Sequence, residues 1–218
     1  MDDGDRSEGK PLSNFLRSLP QAGAILEDVS HQRGFLHRLD VPSSGLILVA
    51  KTYEAYYDLR LQMSLHEIQR EYLILCHGFS TSRHVNCRVW WLPGDLGPSR
   101  VASAGRVAIT HLAPQSFHEK KQKAFTLALA KIVTGRRHQI RLHCAHLGHP
   151  LVSDAKYSAL SCYEDDLRWC PRNFLHRFRL RFMDSALGGV QDLSEPLPAD
   201  LLKALDSTDK VSRLRKRI

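Results

Sequence analysis

The sequence predicts a single α+β domain. Its 218 residues, 43% of them hydrophobic, are enough to bury one sizeable core, or to form two small subdomains that share a sheet. Residues 124–133 and 174–183 alternate in polarity as half-buried strands do, whereas residues 52–66 carry an apolar residue at every fourth position, as one face of a helix does. Because both periodicities occur in a chain of this length, we expect helices and strands to share one folded unit.

The chain is expected to begin with a leader and a short helix. Residues 1–11 are acidic and polar, unlike a secretory signal or an Arg-rich transit peptide, and are predicted to be a disordered leader. Residues 12–19 are predicted to form a helix, and residues 45–51, with an unbroken apolar run from Leu46 to Val49, a buried strand. A polar loop that contains Asp40 lies between them.

The next elements follow from the same patterns. Residues 52–66 are predicted to form a helix whose buried stripe is Ala55, Leu59 and Met63. Residues 72–76 are predicted to form a strand, and residues 86–103, rich in Trp, Pro and Gly, an irregular excursion.

The second half begins with the strand at residues 124–133, which ends in a turn at Thr134 and Gly135. A helix is predicted within residues 136–147, before Gly148 and Pro150, followed by a loop over residues 153–171 and the strand at residues 174–183. A turn at residues 200–205 closes the domain, which we expect to span residues 12–205. Residues 206–218 are predicted to be a basic, solvated tail.

Composition narrows the classes of partner. A net charge of +8 suits a polyanion such as a nucleic acid. The longest apolar stretches fall far short of the roughly 20 residues that a membrane span needs, so no membrane partner is expected. Five cysteines without a CxxC pair argue against a disulfide framework and a cysteine zinc site, and favour a reducing compartment, the cytoplasm or nucleus.

Asp40 stands out in the segment His37-Arg38-Leu39-Asp40, directly before the predicted buried strand. A carboxylate on a loop at a rigid sheet edge is well placed for catalysis. Taken alone, however, an Asp beside an Arg is more often a loop cap or part of a surface ion pair. The residues alone leave both interpretations open.

A second segment runs from Thr134 through Arg136-Arg137-His138-Gln139-Ile140-Arg141-Leu142-His143. On a helix that opens near Arg137, Arg137 and Arg141 would share one face, opposite an apolar stripe of Ile140, Cys144 and Leu147. That basic face could grip phosphates, neutralise a buried carboxylate, or be solvated.

Together the two segments, HRLDxxSSGLxLxAK and TGRxHQIRLHxxxLGHPLxxDxxY, resemble the catalytic motifs of RluA-type RNA pseudouridine synthases. Arg70-Glu71-Tyr72 is similar to the basic-x-Tyr element of that family. The resemblance implies a mixed, mainly antiparallel sheet in two halves, flanked by helices, with a basic cleft. It also implies an isomerase, expected to be a monomer, that converts uridines in ribosomal or transfer RNA to pseudouridine without a cofactor or metal.

The resemblance also assigns roles to residues. Asp40 matches the nucleophilic carboxylate, Tyr72 the aromatic that stacks on the flipped uracil, and Arg141 the partner that keeps Asp40 ionised. Arg38 resembles the residue that fills the gap left by the extruded base, and Ile140 the apolar floor of the uracil pocket. The remaining substrate-binding residues of the motif are Arg136, Arg137 and His138.

Other residues receive no catalytic role. His37 is expected to order its loop by a hydrogen bond. The cluster of His143, Cys144, His146 and His149 is expected to be structural, because Cys144 belongs to the apolar stripe, so no metal site is predicted. Arg177 stands where the resemblance expects a small residue.

Nothing before Asp40 reproduces the Asn-Lys-Pro-x-Gly element with which the family opens its catalytic domain, and the chain is expected to lack that first strand. This absence and the net charge of +8 support a second hypothesis, a catalytically inactive RNA-binding module derived from the same fold. A hydrolase built on His37 and Asp40 is disfavoured, because no Gly-x-Ser-x-Gly elbow is present.

Overall fold

A computed structural model describes residues 12–19, 23–94 and 96–211. Five α-helices run over the following ranges: α1 Leu12–Arg17, α2 Tyr53–Ser64, α3 Gln139–His146, α4 Leu160–Leu167 and α5 Ala199–Asp206. Nine strands occur in the same part of the chain: β1 Ser44–Gly45, β2 Gln69–His77, β3 Arg83–Trp90, β4 Arg100–Val101, β5 Arg106–Lys120, β6 Lys123–Ile132, β7 Leu175–Asp184, β8 Gly189–Ser194 and β9 Asp209–Lys210. Two short 3₁₀ turns, Ala24–Leu26 and Gln32–Gly34, precede β1.

The described strands form one sheet in the order β1-β7-β2-β6-β5-β3-β4, with β8 paired to β7 and β9 to β5 outside this path. The pairing of β1 with β7 is parallel, and the other strand pairs are antiparallel. The predicted α+β class with a mixed, mainly antiparallel sheet is therefore confirmed.

The centre of the sheet is covered on both faces. Alternate residues of β2 point to opposite sides, so that Ile74 joins the core cluster containing Ile140 and Cys144 of α3, while Leu75 joins the cluster containing Leu201 of α5. This two-sided burial explains why β2 and β6 carry apolar residues with little interruption. Helix α2 packs separately, with Tyr56 and Leu59 near Leu180 of β7.

Several elements agree with the sequence prediction. Helix α2 lies within residues 52–66, with Leu59 buried and Ala55 and Met63 partly buried. The predicted strands at residues 72–76, 124–133 and 174–183 correspond to β2, β6 and β7.

Other elements were predicted wrongly. The expected strand at residues 45–51 is only two residues long, because beyond Leu46 the chain leaves β7 and pairs back on its own preceding segment. The excursion at residues 86–103 contains most of β3 and all of β4, and the loop at residues 153–171 contains α4. The turn at residues 200–205 is helix α5, and β5, the longest strand, was not predicted at all.

The leader at residues 1–11 and residues 212–218 of the tail lie outside the described residues. Asp209 and Lys210 pair with Glu119 and His118 of β5, so the sheet continues past the domain boundary expected at Leu205.

Between residues 12 and 43, the described segments contain α1 and the two 3₁₀ turns. None of the described helices is both long and apolar enough to span a bilayer.

Candidate active site

Asp40 lies on a loop whose two ends are held together by backbone contacts. At its base, Phe35 bridges Val49 and the backbone N–H of Ala50 donates to the carbonyl of Gly34 over 2.8 Å. Nearer its far end, the N–H of Ser43 donates to the carbonyl of Asp40 over 2.8 Å, which closes a tight turn. We call residues 34–50 the Asp40 loop.

Strand β1 attaches the Asp40 loop to the sheet. Gly45 pairs with Arg177 of β7 and has φ +113°, a conformation that L side chains rarely adopt. A Cβ at this position would lie 2.2 Å from the carbonyl oxygen of Arg177. Gly45 is therefore required for the close approach of the loop to β7.

Arg141 of α3 faces Asp40 and is itself held by a second carboxylate. Its Nε and Nη2 each donate to Asp154 over 2.7 Å, and its Nη1 donates to Oδ2 of Asp40 over 3.2 Å. The side chains of Arg141, Asp154 and Asp40 are 4%, 0% and 20% exposed. Burial lowers the pKa of Arg141, but the hydrogen bonds and charges of Asp154 and Asp40 outweigh it and leave that pKa raised. The ion pair between Arg141 and Asp40 that the resemblance implies is thus present, and Arg141 stays charged.

The loop before α3 is fixed by Gln139. Its Oε1 accepts from the Thr134 hydroxyl over 2.8 Å and from the Arg136 N–H over 3.0 Å, while its Nε2 donates to the Ile109 carbonyl and the Thr110 hydroxyl of β5, each over 3.0 Å. This side chain ties the loop to β5.

The expected helical face of Arg137 and Arg141 is wrong. His138 has φ +55°, outside the helical region, so α3 begins at Gln139 and Arg137 lies in the preceding loop. Arg141 is 3% exposed and makes internal ion pairs, so it belongs to no solvated surface.

One cavity of about 410 Å³ brings the candidate site residues together. All eight residues assigned from the motifs line it: Arg38, Asp40, Tyr72, Arg136, Arg137, His138, Ile140 and Arg141. Six arginines line this cavity: Arg38, Arg70, Arg136, Arg137, Arg141 and Arg177. Among its lining residues, all of which are described, Asp40 is the single acidic one. The cavity therefore combines one carboxylate with a strongly positive wall.

Tyr72 and Arg177 form a buried pair at the wall of the cavity. They are register partners on β2 and β7, and Arg177 donates to the Tyr72 hydroxyl from Nε over 2.8 Å and from Nη2 over 2.6 Å. Nη1 of Arg177 donates to the carbonyl of Leu46 over 3.0 Å and lies 2.8 Å from Nδ1 of His37. Arg177 thus links the Tyr72 ring to the Asp40 loop.

The histidines of the cavity are held neutral. Burial, and then the charges of Arg177 and Arg70, bring the pKa of His37 well below its usual value. Burial also lowers the pKa of His138 to about 4, against the opposing effect of Asp40. His37 accepts a backbone hydrogen bond from Leu48 over 3.3 Å, in line with the expected loop-ordering contact.

Four contributors to the site received no role from the sequence. Asp154 and Gln139 lie inside the second motif, but a motif does not reveal which of its polar residues face each other. Arg70 was noted only as a basic residue before Tyr72, and its buried Nη2 donates to the Val133 carbonyl over 2.7 Å. Arg177 was recognisable only as a large residue at an expected small position.

The histidine and cysteine residues after Arg141 do not come together as ligands. His143 is fully buried with Nδ1 2.9 Å from the Thr110 hydroxyl, and Cys144 lies in the core. His146 is exposed, and Nδ1 of His149 lies 2.9 Å from the His77 carbonyl. All five cysteines are free.

Comparison with known proteins places the chain among its relatives. Residues 7–146 match the family model described as RNA pseudouridylate synthase. Ribosomal large subunit pseudouridine synthase D of Nitrosomonas europaea is 32% identical over 203 residues, which cover 91% of this chain and 56% of that protein. The synthase of the same name from Pseudomonas aeruginosa is 34% identical over 208 residues, 89% of this chain and 61% of that protein. The chain therefore spans less than two thirds of the length of these relatives.

Solved structures agree on the fold. Human RNA Pseudouridylate Synthase Domain Containing 1 superposes with a TM-score of 0.70 at 23% identity, over 84% of this chain and 76% of that one. Human RNA Pseudouridylate Synthase Domain Containing 4 gives a TM-score of 0.62 at 18% identity, over 79% and 74% of the two chains. The matched sequence model, the curated relatives and the shared fold lead to one conclusion: this chain belongs to the RNA pseudouridylate synthase family.

Proposed function

We propose that the protein converts uridines in RNA to pseudouridine and that Asp40 is the nucleophile. The observation that carries the proposal is the cavity in which Asp40 is the single acidic lining residue, paired with Arg141 at 3.2 Å and surrounded by arginines. A cavity of about 410 Å³ lies within the range of about 300–1,000 Å³ typical of small-molecule sites. It can therefore receive one extruded nucleotide.

Arg141 prepares Asp40 for attack. A partly buried carboxylate needs a positive neighbour to remain ionised, and the single contact from Nη1 supplies one while the carboxylate keeps free lone pairs. Because Asp154 holds Nε and Nη2, the guanidinium cannot turn away from Asp40.

The reaction balances without an external reagent. The bond between N1 of uracil and C1′ of ribose breaks, the base rotates, and a bond forms between C5 and C1′. The proton on C5 is lost and N1 gains one, so product and substrate are isomers. We assign the attack that starts this sequence to the Asp40 carboxylate.

The remaining lining residues are assigned to binding. A base removed from its own stack is well received by an aromatic ring, and the Tyr72 hydroxyl, held by Arg177, fixes the ring orientation. Ile140 forms the apolar floor, and Arg38, which is exposed, occupies the gap in the RNA stack. We assign Arg136 and Arg137 to the RNA backbone near the target, where basic side chains contact phosphates. We assign His138, which is neutral at pH 7, to a hydrogen bond with the substrate.

Ribosomal RNA of the large subunit is the proposed substrate, because the curated relatives are named for that subunit. Transfer RNA is the second candidate from the motif resemblance. Sequence-specific recognition of RNA depends on loop shape and splayed bases, so the two substrates are separated by experiment.

The test is pseudouridine formation by the purified chain on unmodified large-subunit ribosomal RNA and on unmodified transfer RNA. Product is measured by mass spectrometry of nucleosides. The parent is expected to form product and Asp40→Asn to form none, with RNA binding retained. Asp206→Asn, an exposed carboxylate on α5, is the matched control and should behave as the parent.

Each outcome has a clear meaning. Product from Asp40→Asn at the parent rate would refute the assigned nucleophile. Salt-sensitive RNA binding by every variant, with no product from the parent on either RNA, would refute the enzyme and support the inactive RNA-binding module.

A further inference from the structure

A cluster of three potential metal ligands lies apart from the catalytic cavity. His77 is the last residue of β2, and Cys162 and Asp166 belong to α4. None of the three lines the cavity. Their nitrogen, sulfur and oxygen ligand atoms all lie within 4.8 Å of one another.

The positions of His77, Cys162 and Asp166 in the fold bring their side chains together. Cys162 and Asp166 are four residues apart on α4 and so share a helix face. Nε2 of His77 lies 2.8 Å from Oδ2 of Asp166 and 3.5 Å from Sγ of Cys162. The N–H of Ser153 donates to the same Asp166 oxygen over 3.0 Å, which fixes that carboxylate.

Burial of Asp166 calls for a positive partner. Its side chain is 2% exposed, and a buried carboxylate is costly unless a charge offsets it. The nearby Lys123 instead forms its ion pair with Asp165. A divalent cation held between His77, Cys162 and Asp166 would supply such a charge.

The chemical types of the three ligands indicate which cation would bind. An imidazole, a thiolate and a carboxylate are the ligands that zinc takes in tetrahedral sites. In such a site neighbouring nitrogen and sulfur ligands stand about 3.5 Å apart, which is the distance already found between His77 and Cys162. The contact between His77 and Asp166 must lengthen by roughly half an ångström, because bound nitrogen and oxygen ligands stand about 3.3 Å apart.

We propose that His77, Cys162 and Asp166 bind one zinc ion, with water as the fourth ligand. The His77 side chain is 15% exposed and Cys162 is half-buried, so solvent reaches the site. Binding releases the Cys162 thiol proton to solvent and moves the His77 ring proton from Nε2 to Nδ1. The ion joins the end of β2 to α4, and it takes no part in the proposed isomerisation.

No sequence pattern predicted this site, because His77 lies 85 positions before Cys162 and 89 before Asp166, and the three residues follow no zinc motif. Burial, and then the charge of Asp166, raise the pKa of the Cys162 thiol. The thiol is therefore protonated at neutral pH until a metal ion binds.

The test uses the full chain, freed of metal by a chelator, and cobalt(II) as a spectroscopic substitute for zinc. The expected result is a near-ultraviolet thiolate-to-cobalt band that saturates at one equivalent and disappears when zinc is added. Zinc should also raise the melting temperature of the parent, since a ligand that binds only the folded state stabilises it.

Variants decide whether this cluster is responsible. Cys162→Ser should abolish the band and the zinc-dependent rise in melting temperature, and Asp166→Asn should weaken cobalt binding at least 10-fold. Cys87→Ser, at a half-buried cysteine of β3, and His84→Asn, at an exposed histidine near His111, should bind cobalt as the parent does.

The absence of a thiolate band in the parent would overturn the proposal, as would an unchanged band in Cys162→Ser. Circular dichroism establishes that each variant is folded, and His77→Gln provides a second ligand removal should Cys162→Ser not fold. None of these readouts depends on pseudouridine formation, so the zinc site and the proposed enzyme succeed or fail separately.

Discussion

Asp154 holds Arg141 in place, although Asp154 itself does not line the cavity. It is fully buried and accepts hydrogen bonds from two nitrogens of Arg141, so the guanidinium has one nitrogen left for Asp40. The N–H of Lys156 donates to Asp154 over 3.0 Å and steadies it in turn. We therefore regard Asp154 as a positioning residue for the Asp40 and Arg141 pair.

Asp154→Asn keeps the shape of the side chain but removes its charge. The free energy of unfolding should fall by about 3 kcal/mol, because a buried ion pair loses one partner. The rate constant kcat should fall about 100-fold through misplacement of Arg141, while RNA affinity stays within 3-fold of the parent. Urea denaturation and single-turnover kinetics, with Asp206→Asn as control, measure these effects. A kcat equal to that of the parent would contradict the positioning role.

For single residues, the sequence indicated which ones belong to the site better than it indicated which residues contact each other. The motif order led to Asp40, Tyr72 and Arg141, and the structure brings all three to one cavity. Arg177 could not be interpreted in advance, because its partner Tyr72 lies 105 positions earlier and meets it only through strand register.

The Asp40 loop depends on a strand of two residues. Its parallel pairing with β7 places Ser44 opposite His176 and Gly45 opposite Arg177. The Ser44 hydroxyl lies 2.9 Å from Nδ1 of His176 and accepts from Arg172 over 3.1 Å. Such a short element holds its place through these side-chain contacts and the close approach at Gly45.

Gly45→Ala should displace the loop. The new Cβ would lie 2.2 Å from a backbone oxygen at a positive φ, so we expect a loss of at least about 3 kcal/mol in stability and most of the activity. Gly188→Ala is the matched control, since Gly188 also has a positive φ, +67°, but an added Cβ there meets no atom within 4 Å. It should cost only about 1–2 kcal/mol. Thermal unfolding and pseudouridine assays distinguish the two, and equal losses would argue against the clash.

Elements with one clear periodicity were predictable, and the others were not. Strand β5 was not predicted because exposed polar residues such as His111 and Gln115 alternate irregularly with buried ones. The strand also contains a bulge between Pro114 and Ser116, which interrupts its periodicity. The start of α3 was predicted wrongly, because no sequence pattern indicates the positive φ of His138.

Among the described residues, four histidines resist protonation. Burial, and then the charge of Lys210, lower the pKa of His118. Burial lowers the pKa of His143 to about 4, with His146 contributing, and lowers that of His138 to about 4 and that of His37 well below its usual value. Below pH 6.5 the unfolded chain therefore binds more protons than the folded one, and stability is lost as pH falls.

The free energy of unfolding should consequently decrease between pH 7 and pH 5, by at most about 1.4 kcal/mol per pH unit for each histidine. His143→Gln should make this dependence shallower, whereas His66→Gln, at an exposed position, should not. Urea unfolding at pH 5, 6 and 7 measures the slopes. A slope in His143→Gln as steep as in the parent would exclude a contribution from His143.

The span of the contacts around Asp40 has a consequence for biosynthesis. Asp40 meets Arg141 across 101 positions, Ser44 meets His176 across 132, and His37 meets Arg177 across 140. A chain emerging from the ribosome presents the Asp40 loop early, yet every one of these partners arrives late. The contacts of the Asp40 loop are therefore complete only once β7 has been made, and a nascent chain interrupted before that point carries the proposed nucleophile without the residues that position it.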